Sequence, residues 1–213
     1  MQSAMRTGAI ILCGGKSSRM GRDKASLPFG PEQMLQRIVR LIGEVVPAEH
    51  TVVVAAVNQE LPPLPPRIII ARDQVEYRGP LAGLATGFRT LAGHTPLDAV
   101  FASACDMPLL LPAFVQRMFD LIGTYDVVVP VDGEHHHALA AVYRPTVLPE
   151  LESLLRADRL RPRFLFDRVR TREVPIDELC EVDPRLHSLA NVNSQKDYRA
   201  ALKVAGLPPP AER

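Results

Sequence analysis

Two adjacent glycines and a set of cations stand together in the run Leu12-Cys13-Gly14-Gly15-Lys16-Ser17-Ser18-Arg19-Met20-Gly21-Arg22-Asp23-Lys24. Gly14 and Gly15 permit backbone conformations and close approaches that a Cβ would block, so main-chain N–H groups can turn toward an anion. Arg19, Arg22 and Lys24 add positive side chains to the same stretch. Two familiar phosphate loops are excluded by spacing. No Gly-Lys-Ser/Thr triplet follows either glycine at the Walker interval, and the adjacent glycines do not make Gly-x-Gly-x-x-Gly. What remains is a glycine-rich, basic cradle suited to a nucleoside triphosphate.

Three further groups of residues carry chemistry. Asp106 follows an apolar run ending near Ala104, which puts it at the end of a strand. A lone aspartate there ordinarily caps a turn. Asn191 and Asn193 precede a predicted helix beginning near Ser194, with Ser194 as N-cap and Asp197 three residues later completing a capping box. His135, His136 and His137 are consecutive in a polar loop spanning 132–137, and without a His-x-x-x-His spacing they read as solvated loop residues rather than metal ligands. Cys13, Cys105 and Cys180 show no paired spacing, so neither a disulfide framework nor a zinc site is implied. Cys13 and Cys105, at the ends of apolar runs, read as small hydrophobes, and none of the three is given a catalytic task.

The elements that must position these residues alternate. Gly8 to Ile11 is a short apolar run that reads as a strand buried on both faces, as in a parallel sheet. Pro31 opens a predicted helix in which Met34, Leu35, Ile38, Leu41, Ile42 and Val45 fall at helical spacing. Strands are predicted over 51–57, 67–70, 98–102, 126–129 and 138–143, and helices over 81–91, 112–122 and 145–156. The proline-rich 61–66 reads as a stiff surface connector, and 161–183 has no clear period. Strands alternating with helices predict an α/β fold, a doubly wound three-layer α/β/α sandwich with a mostly parallel, Rossmann-like sheet. Ligands of such sheets collect at the carboxyl ends of the strands, where both Gly14 and Asp106 fall.

Composition narrows the partners. The 213 residues suit one domain, expected over 1–205, with 206–213 as a flexible C-terminal tail that carries three successive prolines. The formal net charge of +1 argues neither for nucleic acid nor for an anionic membrane surface, and neither is expected as a partner. No apolar run approaches the roughly 20 residues of a membrane span, and no hydrophobic signal core stands at the N-terminus, so a cytoplasmic location is expected.

The opening string, together with Leu27 and Gly30, resembles the first motif of the molybdenum cofactor guanylyltransferases, the MobA-type nucleotidyltransferases. Three later segments match that family in order: Gly79-Pro80-Leu81-Ala82-Gly83-Leu84, Cys105-Asp106-Met107-Pro108 and Asn191-Val192-Asn193-Ser194. The resemblance runs from Gly8 to about Leu202. It implies a nucleotidyltransferase fold and transfer of GMP from GTP to the terminal phosphate of molybdopterin, with release of pyrophosphate. By the same resemblance Leu12, Cys13, Gly14, Gly15, Lys24, Asp73, Gly79 and Asp106 bind nucleotide, and Arg19, Lys24 and Asp106 serve catalysis. Asp106 becomes a magnesium ligand, Asn193 a second group near the metal, and His137 a neighbour of the acceptor. Cys13 stands where the family more usually has alanine. The strand-end asparagine of some members is Ala55 here, and its role does not pass to Asn58.

Guanine preference rests on Leu-x-Gly-Gly and Gly-Pro-Leu-Ala-Gly. The alternatives left open are CTP or a sugar-phosphate acceptor on the same scaffold, and a non-catalytic subunit that delivers cofactor. Hand-over to a molybdoenzyme or a cofactor-insertion protein is compatible with this reading, and the oligomeric state is not legible.

Overall fold

The computed structural model describes residues 5–13, 23–73, 79–94 and 96–209. Its centre is a sheet built from β1 (Thr7–Leu12), β4 (Thr51–Ala56), β5 (Ile69–Asp73), β6 (Ala99–Ala104), β7 (Val127–Asp132), β9 (Ala140–Tyr143) and β10 (Thr171–Pro175). The spatial order is β10-β7-β9-β6-β1-β4-β5, and the short β8 (His135–His136) adds to β7. β1 pairs in parallel with both β4 and β6, β4 with β5, and β7 with β10. β9 runs antiparallel to both its neighbours. The chain therefore leaves β1 toward β4 and β5, then returns to β1's other side with β6. That reversal makes a switch point between the carboxyl ends of β1 and β6, the position where open α/β sheets hold their ligands.

Alternation along β1 explains the layers. Ala9 and Ile11 face one cluster with Leu35, Ile38 and Ile42 of α1 (Met34–Gly43) and Phe114 and Met118 of α3 (Pro112–Asp120). Ile10 faces the other, with Leu81, Leu84 and Phe88 of α2 (Gly79–Ala92) and Leu151 and Leu154 of α4 (Leu148–Arg156); Leu165 and Phe166 of the short α5 (Arg163–Phe166) complete it. Each such side chain buried from water contributes about 1.5–3 kcal/mol, so helices on both faces are strongly favoured over an open sheet. The expected three-layer sandwich is what forms.

Glycines set how closely α2 lies on β1. A Cβ on Gly83 would come within 3.0 Å of the Leu12 side chain, and one on Gly87 within 2.7 Å of Ile10. The helix expected over 81–91 begins two residues earlier, so that the stretch 79–83 is the first turn of α2. Gly79 opens it at φ +74°, a left-handed conformation that favours glycine.

Other boundaries differ from expectation. Pro31 does not start α1; it sits in the turn of a small hairpin, β2 (Pro28–Phe29) with β3 (Glu32–Gln33), and α1 begins at Met34. Pro130 does not stop β7, which continues to Asp132 against β10 and β8. Part of the loop expected over 132–137 is consequently strand. A third cluster joins Leu27, Phe29, Met34 and Leu109 to Tyr198 and Leu202 of α6 (Gln195–Val204), and the Tyr198 hydroxyl donates to the Pro28 carbonyl. Leu207 packs on this cluster, and its N–H donates to the Leu202 carbonyl.

Candidate active site

Lys24 and Asp106 come together from opposite sides of the switch point. After β1 the chain reaches Asp23, which caps a 3₁₀ turn over Lys24–Ser26 by accepting the Ala25 N–H on Oδ1 at 2.9 Å. Ala25 is fully buried in the α1 side of the core, so the turn is anchored at its middle and its first residue is free to point elsewhere. The Lys24 ammonium donates to Asp106 Oδ2 at 2.8 Å and to Asn193 Oδ1 at 2.9 Å. The ion pair is well shielded, with side chains 19% and 14% exposed. Opposite unit charges 4 Å apart at an effective dielectric near 20 attract by about 4 kcal/mol, so this contact dominates the local geometry.

Asp106 is fixed by what surrounds it. It follows β6 closely; its carbonyl accepts the Val192 N–H at 2.8 Å, and its Oδ1 accepts the Asn191 side-chain amide at 2.9 Å. Asn193 is placed by the start of α6, where Asp197 Oδ2 accepts the Asn193 N–H at 3.1 Å and Ser194 Oγ accepts the Asp197 N–H at 3.2 Å. The capping arrangement read from the sequence is therefore present, displaced by one residue on its return bond. The sequence places Asn191 only on the approach to that helix, yet it is the residue that orients the carboxylate.

The oxygens of Asp106 and Asn193 converge on one cation, the lysine ammonium. An all-oxygen donor pair of this kind also fits a hard divalent ion that takes few protein ligands and completes its shell with phosphate and water. Among the described residues there is no cluster of three or more His, Cys, Asp or Glu side chains that could hold a metal.

The remaining predicted residues line the same edge in part. Leu12 and Cys13 end β1, with the Leu12 carbonyl taking the Cys105 N–H at 3.0 Å and the Cys13 N–H donating to the Val54 carbonyl at 2.9 Å. The neighbouring Cys105 thiol, then burial, push the Cys13 thiol well above its ordinary pKa, so it stays protonated and packs as a small apolar group. Asp73 ends β5 at the edge of the sheet, half-buried, and Gly79 opens α2 beside the Leu160 carbonyl. The Leu160 carbonyl thus places the arginine-rich run 159–163 beside the start of α2. Gly14, Gly15 and Arg19 lie outside the described residues.

His137 stands apart from the Lys24 network. Its N–H donates to the Pro130 carbonyl at 2.9 Å, and its ring meets that of His135 edge-on at 4.7 Å. Burial, then the adjacent His135, hold it below the ordinary histidine pKa, so it is a neutral imidazole near pH 7. His136 bonds Glu173 at 2.7 Å. Ala55 is fully buried in the core and carries no polar group for a strand-end contact. A polar group does reach that strand end from Gln59, whose side chain bonds both Cys13 and Asp23 and which no sequence motif marks.

Comparison with known proteins identifies the family and the fold. Residues 9–172 match the family model of the MobA-like NTP transferase domain. A protein of Mycolicibacterium paratuberculosis named "Probable molybdenum cofactor guanylyltransferase" is 34% identical over 203 residues, covering 94% of this chain and 97% of its own length. Among solved structures, molybdopterin-guanine dinucleotide biosynthesis protein A from Archaeoglobus fulgidus superposes with a TM-score of 0.75 at 18% identity, covering 93% of this chain and 98% of that one. A cytidylyltransferase from Leptospira borgpetersenii superposes at 0.68 with 16% identity, covering 96% and 89%, so the fold is shared across base preferences. By its matched domain and its end-to-end relative, the chain belongs to the MobA-like NTP transferase family and is a nucleotidyltransferase.

Proposed function

We propose that this nucleotidyltransferase transfers GMP from GTP to the terminal phosphate of molybdopterin, forming the guanine dinucleotide and releasing pyrophosphate. The observation that carries the reading is the Lys24 ammonium shared between Asp106 and Asn193 at the switch point of the sheet. The acceptor phosphate is itself the nucleophile, so no serine, cysteine or histidine attack is needed, in keeping with a Cys13 thiol held protonated. An acceptor oxygen forms the new bond to the α-phosphorus as the bond to the pyrophosphate oxygen breaks. The protein's task is to bring two polyanions together in line and to offset the charge that develops.

On this reading Lys24 is the cation held ready for the phosphates, and Asp106, with Asn193 beside it, holds magnesium. When bound, magnesium neutralises phosphate charge and orients the phosphate oxygens. Leu12, Cys13, Gly14 and Gly15 supply the strand end and backbone cradle, Arg19 a further cation, and Asp73 and Gly79 the nucleotide side. His137, as a neutral imidazole, borders the acceptor. The reaction draws on GTP in the cytoplasm, and its product passes to a molybdoenzyme or a cofactor-insertion protein.

Relatives named as guanylyltransferases support GTP, and the fold shared with a cytidylyltransferase makes CTP the competing substrate. Competition between unlabelled nucleotides for the magnesium-loaded site separates the two. GTP should displace a guanine probe at least about tenfold better than CTP, ATP or UTP, a difference of about 1.4 kcal/mol. Equal displacement by CTP would overturn the guanine assignment.

A further inference from the structure

Gln59 lies in the turn after β4, outside every motif that marked the site, yet its side-chain amide is fully engaged with the strand end that leads to Lys24. Its Nε2 donates to the Cys13 carbonyl at 3.2 Å and to Asp23 Oδ2 at 2.7 Å, and its Oε1 accepts the Ala56 N–H at 3.1 Å. An amide nitrogen has two N–H groups, and both are spent on residues that bracket 14–22 in the sequence. Gln59 is itself held in place, since its N–H donates to the Ala56 carbonyl at 3.2 Å and its carbonyl accepts Arg72 at 2.6 Å. Arg72 also donates to the Ala56 carbonyl at 3.0 Å and directly precedes Asp73 on β5.

Closing the turn after β4 requires only the bonds to Ala56. The two donated bonds add nothing to that turn. They tie Cys13 to Asp23, and Asp23 uses its other oxygen to cap the turn that presents Lys24 to Asp106 and Asn193. We propose that Gln59 is a positioning residue for phosphate transfer: through Asp23 it sets where Lys24 stands, and through Cys13 it fixes the spacing of the two ends of the glycine-rich segment. This rests on the nucleotide reading of the site. Hydrogen bonds in one network are coupled, and a displacement of about 1 Å in a catalytic group can cost about a hundredfold in rate.

The test compares wild type, Gln59→Glu, Asp23→Asn and the double variant for binding of magnesium–GTP by calorimetry, with the thermal midpoint of each recorded. Gln59→Glu keeps the length of the side chain and an acceptor for Ala56, but turns oxygens toward the Cys13 carbonyl and the Asp23 carboxylate. Each single variant should weaken GTP binding about tenfold or more at a thermal midpoint near that of wild type. In the double variant the amide introduced at position 23 can donate to the carboxylate introduced at position 59. One bond and the wild-type net charge are thereby restored, and affinity should recover to within about threefold of wild type.

Wild-type affinity in Gln59→Glu, additive losses in the double variant, or a lowered thermal midpoint with unchanged affinity in the folded protein would each overturn the positioning role alone. Absence of GTP binding by the wild-type protein would overturn the nucleotide reading, and the inference with it.

Discussion

Lys24 is shared between a carboxylate and an amide oxygen, and that sharing governs what substitutions at the site do. Asp106→Ala removes the lysine's charged partner and strands the Asn191 amide, but takes no packing from the core, because Met107, Leu109 and Leu110 remain buried behind it. Turnover should fall at least about a hundredfold, the scale on which loss of one transition-state electrostatic group is felt, while the melting temperature changes by only a few degrees. Wild-type turnover in that variant would remove Asp106 from the mechanism.

His137 offers a pH signature at the same scale. Its proton affinity is lowered by burial and by His135, so the unfolded chain protonates first as pH falls. Its contribution to stability is whole above the ordinary histidine value near 6.5 and is lost as pH drops through the folded-state value. Denaturant midpoints measured from pH 7.5 to 5 should decline less steeply in His137→Gln than in wild type; identical slopes would contradict the assigned direction. Lys24, Asp106 and Asn193, which the structure brings together, could be singled out because each sits in a short local string that resembles a family motif. Gln59 was not, because its partners lie 46 and 36 residues away and are defined only once strand ends are aligned.

Elements with a strong period were legible, and short ones were not. β1, β4, β6 and α1 announce themselves through continuous apolar runs or 3.6-residue spacing, since each buries a whole face. The β2–β3 hairpin has two residues a side, too few for any period, and β10 is an edge strand whose burial alternates only weakly. Helix α2 carries a constraint that composition hides. Gly87→Ala would place a Cβ 2.7–2.9 Å from three Ile10 carbons, pushing α2 off β1. The expected cost is about 1–3 kcal/mol, seen as a melting temperature lower by several degrees. Combining it with Ile10→Ala should destabilise less than the sum of the two single changes, because the second substitution opens the space the first one needs. Strict additivity would mean that the helix and strand do not meet at this point.

At the scale of the whole molecule, the strand order makes a switch point between β1 and β6, the position where open α/β sheets hold their ligands, and on the proposed function the net charge of +1 leaves phosphate binding to local placement. The alternation of strands and helices made the three layers legible, whereas the packing of Leu207 on the α6 cluster depends on contacts that no local pattern records. A nucleotide that binds the folded protein alone must stabilise it: GTP at a hundred times its dissociation constant adds about 2.7 kcal/mol, raising the melting temperature by about 5–10 °C. CTP at the same concentration should raise it much less, and equal shifts would speak for a site indifferent to the base. The most direct measurement is turnover itself, with purified protein, magnesium, GTP and molybdenum-loaded molybdopterin. Pyrophosphate and the guanine dinucleotide should form in equal amounts and only when both substrates are present; no product from GTP under any loading of the acceptor, or product from CTP instead, would contradict guanylyl transfer.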